Sequence, residues 1–299
     1  MSQSNHYSLA SPTSLLLDDG QIIERVFSHI DNKTTDLGSE IWREPVKNYV
    51  DQERFDKEIK LLRSQPVPFC PSSALPEKGS YVSRIAAGTP ILVTRDEEGE
   101  VNAFINACRH RGMQVASGSG CKKSFVCPYH GWTYGLKGEN RNIPGSDGFP
   151  GIDPLEHGLK PVNAAEIGGI VYVCQDGEIS KNFLDEALDY FADDQALINQ
   201  SEIEDEANWK ILHETLLEGY HIKTLHKDTF FPYGLDNINV VENYGQNSRV
   251  LFPFRRIEKL REVEPGSRVI DGTNTSVYSL FPNTSISVLS KHTNLVILE

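Results

Sequence analysis

The sequence predicts an α+β protein in which a small antiparallel β module precedes a helix-and-sheet domain built on a larger antiparallel sheet. Three observations carry that prediction. Four prolines between Ser64 and Ser80 forbid a long helix there. Short β-rich runs, broken by Gly, Pro and charged turns, then recur as far as Cys174. Beyond Gly177 helical periodicity returns, and period-two segments follow it to Glu299.

At 299 residues the chain is long enough for two domains. From Thr13 to Arg63 helical periodicity alternates with polar linkers, and Phe55, Ile59 and Leu62 share one helical face. The β module is expected to draw its strands from the runs that begin at Tyr81, Pro90, Val101, Ser124 and Gly169. Next, Asn182 reads as an N-cap, with Asp185 and Glu186 in the first turn and Leu184, Leu188 and Phe191 as an apolar stripe. A second helix is expected over roughly 207–224, followed by strands near Ile238, Ser248, Ser276, Ser285 and Asn294. These breaks divide the chain into 1–63, 64–176 and 177–299. The last segment, "HTNLVILE", is an apolar strand with no covering element after it, so a domain incomplete at its carboxyl end is expected.

A net charge of −13 repels phosphate backbones and anionic lipid surfaces, so neither nucleic acid nor a membrane is an expected partner. The amino terminus has no basic residue before Arg25, and its apolar run, Leu15 to Leu17, is too short for a secretory signal. Five cysteines, an odd number, do not suggest a disulfide framework. A soluble, cytoplasmic protein is the expectation.

Two short clusters carry chemistry. Cys108 and His110 are one residue apart, sixteen residues follow, and then come Cys127 and His130. Zinc accepts two Cys and two His, but its common structural spacings pair Cys with Cys and His with His. Here each loop supplies one of each. A Rieske 2Fe–2S centre binds one iron through two Cys and the other through two His, so two symmetric loops can each give one ligand to each iron. "CRHRG" followed by "CPYHGW" closely resembles the loops of Rieske non-haem iron oxygenases and their ferredoxins. High-potential Rieske proteins carry a further cysteine in each loop, which together form a disulfide; Met113 and Tyr129 stand at those positions. Trp132 replaces the serine that donates to the cluster in those proteins, and fewer donors imply a low potential. Cys121 reads as a spare loop thiol, Cys70 and Cys174 as packing residues.

The second cluster lies in "NWKILHETLLEGYHIKTLHKDTF", Asn208 to Phe230. Glu218, His221 and His226 resemble the mononuclear iron site of the same oxygenases. Glu218 and His221 are i and i+3 on a helix. His226 lies five residues on, about 140° away on an ideal helix, so the helix is expected to bulge or end near Ile222 to Thr224. His213 reads as a packing residue. The family's third ligand is an acidic side chain on a later helix; Asp271 is unsuited, because Asp271–Gly272 is a hairpin-turn signal. That ligand stays unassigned.

The resemblance implies a small Rieske domain and a helix-grip (START-like) catalytic domain, with the first 63 residues packing on the latter. It implies a catalytic α subunit that uses a 2Fe–2S cluster on Cys108, His110, Cys127 and His130, and Fe(II) on His221 and His226, with O2 as co-substrate. No dinucleotide fingerprint occurs in the chain, so NAD(P)H is expected to act through a separate reductase, with or without a ferredoxin. It further implies a head-to-tail homotrimer, with or without a β subunit, in which Glu218 bridges its own His221 and a neighbour's His130. Hydroxylation of an aromatic or similarly apolar substrate is the expected reaction. The alternatives are oxidation of a quaternary ammonium compound, which Glu218 in place of Asp favours, and electron transfer without oxygenation. Tyr220, Phe230, Phe231 and Tyr233 are candidate aromatic faces for a cation.

Overall fold

The computed structural model describes residues 16–192 and 194–299, so Thr13 to Leu15 of the expected helical stretch lie outside the described residues. The chain forms two compact units; the first comprises residues 16–46, 182–188 and 207–298, the second 47–181, 189–206 and Glu299.

In the first unit, helix α1 (Asp19–Asn32) begins with a capping box: Asp18 accepts from the Gln21 backbone while Gln21 reaches back to the Asp18 N–H. It ends at Lys33, whose left-handed φ of 55° turns the chain away. Ile22, Ile23, Val26 and Phe27 are buried against Val240, Leu251 and Ile257, each full burial contributing about 1.5–3 kcal/mol.

The second unit starts with α2 (Lys47–Val50) and α3 (Gln52–Ser64), the latter capped by Asp51 and burying Leu62. Its main sheet has seven antiparallel strands, formed by β1 (Val67–Pro71), β2 (Ser80–Ala86), β3 (Thr89–Arg95), β4 (Val101–Ile105), β5 (Gly118–Cys121), β9 (Pro161–Ile167) and β10 (Ile170–Cys174) in the order β1-β10-β9-β4-β3-β2-β5. The strands β6 (Phe125–Val126), β7 (Thr133–Tyr134) and β8 (Asn140–Asn142) make a separate three-stranded sheet. The β2–β3 hairpin turns on Ala87 and Gly88, both with positive φ, the type I′ geometry that matches strand twist. One apolar core of this unit gathers Tyr81, Phe104, Phe125, Trp132 and Tyr134 with Cys108 and Cys127, and so fixes both Cys/His loops from beneath. Cys70 and Cys174 are buried, and burial pushes the Cys70 thiol up to about 12. Cys121 ends the edge strand β5 rather than sitting in a loop.

Helix α4 (Lys181–Glu186) starts one residue before the expected N-cap, so Asn182 lies inside it and Leu188 and Phe191 lie beyond its end. In the first unit again, α5 (Trp209–Leu216) and the single turn α6 (Ile222–Leu225) replace the one long helix expected over 207–224. The five-stranded sheet is a meander of β11 (Val240–Tyr244), β12 (Asn247–Pro253), β13 (Asn274–Leu280), β14 (Thr284–Leu289) and β15 (His292–Ile297). His213 of α5, buried, hydrogen-bonds Ser279 of β13 at 3.0 Å and seats that helix on the sheet. Asp271–Gly272 turns the chain within the long β12–β13 connection and is not a two-residue hairpin. No helix among the described residues is long and apolar enough to cross a membrane.

Candidate active site: two Cys/His loops and a carboxylate–histidine cluster

The two loops of the β unit share one backbone frame despite their unequal spacing. Cys108 N–H donates to Met113 O at 2.8 Å and Gly112 N–H returns to Cys108 O at 2.9 Å; Cys127 to Trp132 and Gly131 to Cys127 repeat the pattern at 2.8 and 3.0 Å. Both glycines have φ of 74°, a conformation that a Cβ makes costly, which is why each loop needs Gly four residues after its cysteine. The result is a pair of matched fingers. Their His110 and His130 rings lie 4.6 Å apart, and His110 stacks on Trp132 with an interplanar angle of 9°.

Cys108 and Cys127 are buried and free of disulfides. His110 Nδ1 is buried with no hydrogen-bond partner, an orphaned acceptor of the kind a metal would satisfy. Burial, with His130 and Arg111 adding to it, lowers the pKa of His110 and favours the neutral imidazole that coordinates metals. Two thiols and two imidazoles in twin loops fit a 2Fe–2S cluster. Among the described residues no three His, Cys, Asp or Glu side chains converge on a single point, and a cluster with two protein ligands per iron requires no such convergence.

Sequence reasoning missed Tyr134. Its hydroxyl, fully buried, accepts from the Arg109 N–H at 2.9 Å and so turns its own proton toward Cys108 Sγ, 3.2 Å away. Burial, followed by the bond to Cys108, raises its pKa well above the usual phenol value. The two-residue step from Trp132 to Tyr134 was the available signal, since a strand residue two places on returns to the same face.

In the other unit the helix breaks earlier than expected. α5 ends at Leu216, and His221 and His226 stand at the N-cap and C-cap of α6, so the two imidazoles flank one helical turn, 5.2 Å between ring centres. Glu218, in the break, accepts from the backbone N–H of Tyr220 and, at 3.2 Å, of His221, while its other oxygen meets His221 Nδ1. A carboxylate on Nδ1 fixes the tautomer and leaves the Nε2 lone pair for a metal. The structure thus sets Glu218 on His221 with the His226 ring beside it, without gathering the three side chains on one point, and places Asp271 on the turn before β13, hydrogen-bonded to Ser290.

Of the expected aromatic faces, Tyr220 is 82% exposed, and the Phe231 ring is covered by Arg255 and Lys223. Phe230 and Tyr233 line a cavity of about 560 Å³, together with Thr229, Pro232, Phe254, Arg255 and Arg256. This cavity, which joins the loop after His226 to the end of β12, was not legible in the sequence.

Twin Cys/His fingers on a small antiparallel sheet define an iron–sulfur domain of Rieske type, and the helix-on-sheet unit with its carboxylate–histidine cluster defines a catalytic partner for it. Residues 65–155 match the Rieske [2Fe-2S] domain and residues 193–299 the catalytic domain of the ring hydroxylating alpha subunit. These two matched domains are the ones that Rieske oxygenase alpha subunits combine, and it is to such proteins that the chain is similar. Chloroplastic choline monooxygenase of Spinacia oleracea is 33% identical over 198 residues, 60% of this chain and 45% of that protein. The glycine betaine monooxygenase oxygenase subunit of Chromohalobacter salexigens is 35% identical over 161 residues, 52% of this chain and 36% of that one. The chain thus spans less than half the length of these relatives. A quaternary ammonium Rieske monooxygenase solved in complex with L-carnitine shares the fold at a TM-score of 0.70 and 20% identity, over 86% of this chain and 70% of that one.

Proposed function

We propose that this chain is the terminal oxygenase component of a Rieske system that oxidises a small quaternary ammonium compound, supplied with electrons from NAD(P)H by a partner reductase, with or without a ferredoxin. When bound, a 2Fe–2S cluster supplies single-electron transfer and Fe(II) supplies dioxygen activation. Cys108, His110, Cys127 and His130 would hold the first, His221 and His226 the second. The observation that carries the reading is the pairing, in one chain, of twin Cys/His fingers with a Glu218–His221 contact beside His226.

The chain's own groups prepare this chemistry. Tyr134 donates to Cys108 and would offset negative charge on a thiolate that holds the cluster. Glu218 orients His221 and, in a head-to-tail trimer, would also accept from a neighbour's His130. Such a dual acceptor would let Glu218 hold or release a proton between the two imidazoles as an electron passes between the centres. Glu218, the kinship to choline and glycine betaine monooxygenases, and the aromatic walls beside His226 favour a quaternary ammonium substrate over a neutral ring. Iron and acid-labile sulfide analysis of the purified protein, with its visible spectrum, tests the assignment; zinc without iron or sulfide overturns it.

A further inference from the structure

The cavity next to His226 has a charge pattern that its aromatic walls do not explain. Thr229, on its wall, places Oγ1 3.5 Å from His226 Nδ1, and the Phe230 ring centre is 6.2 Å from that of His226, so the cavity opens beside the candidate metal site. Its opposite side is the start of the 3-10 helix Arg255–Glu262 that follows β12, where Arg255 and Arg256 are adjacent. The Arg255 backbone N–H donates to Tyr233 O at 2.8 Å, and Gly234 pairs with Phe254 as an isolated antiparallel bridge. These bonds tie the two walls together.

Other arginines of this unit rest on carboxylates: Arg249 on Glu242, Arg261 on Asp31, Arg268 on Glu24. Among the described residues, neither Arg255 nor Arg256 has an acidic partner within 4.0 Å. The Arg255 guanidinium donates to Phe231 O, at 3.4 Å, and lies over the Phe231 ring; that of Arg256 lies over the Phe254 ring. In a chain with 42 acidic residues against 29 basic ones, two neighbouring guanidiniums left without carboxylates, at the mouth of an apolar cavity, await an anion from outside the chain. Phe230 and Tyr233, over which no cation lies among the described residues, offer aromatic faces as the complementary surface for a quaternary ammonium head.

We infer that this cavity selects substrates bearing a carboxylate, with Arg255 and Arg256 holding the carboxylate and Phe230 and Tyr233 the trimethylammonium head of a zwitterion. The inference rests on the proposed function in placing the reaction beside His226. A carboxylate then distinguishes the substrate from choline, which shares the cationic head but ends in an uncharged hydroxyl. The two guanidiniums are specificity determinants; none of the steps at the metal requires them.

Calorimetric titration of the 299-residue chain with glycine betaine, choline and benzoate tests this. Glycine betaine should bind about 10- to 100-fold more tightly than choline, the range expected for a charge-assisted pair. Arg256→Gln and Arg255→Gln should each erase that preference while leaving choline binding unchanged, and Arg256→Lys should retain part of it. The Rieske visible spectrum and far-ultraviolet circular dichroism check that each variant is folded. Equal binding of choline and glycine betaine overturns the carboxylate selection and leaves the quaternary ammonium reading standing. Arginine-dependent binding of benzoate without glycine betaine supports the carboxylate site and overturns the ammonium head. No binding of any of the three overturns the inference.

Discussion

Replacing Tyr134 with Phe removes one atom from the fully buried core beneath the Rieske loops, and its effect can be worked from the geometry. The hydroxyl accepts from Arg109 N–H at 2.9 Å, so its single proton is committed to Cys108 Sγ at 3.2 Å. A hydrogen bond to a charged group contributes about 1.5–3 kcal/mol. A reduced cluster is one charge more negative than an oxidised one, so the bond strengthens on reduction. If about 1 kcal/mol of that energy is specific to the reduced state, its loss lowers a one-electron potential by about 40 mV, since tenfold, roughly 1.4 kcal/mol, corresponds to about 59 mV. Tyr134→Phe should therefore assemble a cluster with a Rieske spectrum whose midpoint potential falls by tens of millivolts. Redox titration followed by electron paramagnetic resonance measures this. An unchanged or raised potential in a folded, cluster-loaded variant would refute the reasoning.

Six other substitutions separate the remaining assignments. Cys108→Ala or His130→Ala should abolish the Rieske visible spectrum, because each removes one of four ligands; a normal spectrum means the wrong residues were chosen. His221→Ala or His226→Ala should preserve that spectrum yet release the mononuclear iron, as metal analysis would report. Glu218→Gln should leave both centres spectroscopically present and slow reduction of the mononuclear iron about 10- to 100-fold, read by rapid-mixing kinetics in the assembled oligomer. Ile23→Ala, at a fully buried position of α1, should destabilise the first unit by about 2–5 kcal/mol in denaturant titration without altering the Rieske spectrum.

What the sequence disclosed depended on range. The Cys108/His110 and Cys127/His130 loops were legible because each is closed by bonds within six residues, and the glycines at 112 and 131 mark where the backbone must turn back. The strands from Tyr81 to Ile105 and from Val240 to Ile297 were legible as short β-rich runs between turn residues, and in β11 alternation also survives in burial, with Val240, Glu242 and Tyr244 pointing inward. Glu242 is the exception in kind, a carboxylate on the inner face held by Arg249, and alternation of polarity alone would have turned it outward. The bond that Tyr134 makes and the cavity beside His226 were not legible. The first depends on a bond across 25 residues to Arg109, the second on two turns brought together by the Arg255 and Phe254 backbone.

The broken helix shows why the carboxylate–histidine cluster works better than its sequence spacing allows. On a continuous helix His221 and His226 would diverge by about 140°. The break resolves this at Gly219, where a Cβ would come within 3.2 Å of both Asn239 Oδ1 and the Phe252 ring. A side chain there would require the Asn239 and Phe252 side chains to give by a few tenths of an ångström, so Gly favours this close approach to the sheet. Because α5 ends at Leu216, Glu218 is free of helical constraint and folds onto the Tyr220 and His221 N–H groups, as a capping residue does. The same side chain then reaches His221 Nδ1. Glycine at 219 and glutamate at 218 are therefore one device: the first breaks the helix, and the second uses the freed backbone to set the imidazole. Glutamate's extra methylene, relative to aspartate, gives one carboxylate the reach to bond both the backbone and the ring. An Asp at 218 should keep the backbone bonds and lose the ring, and the resulting drift of His221 would appear as weakened retention of the mononuclear iron with an intact Rieske spectrum.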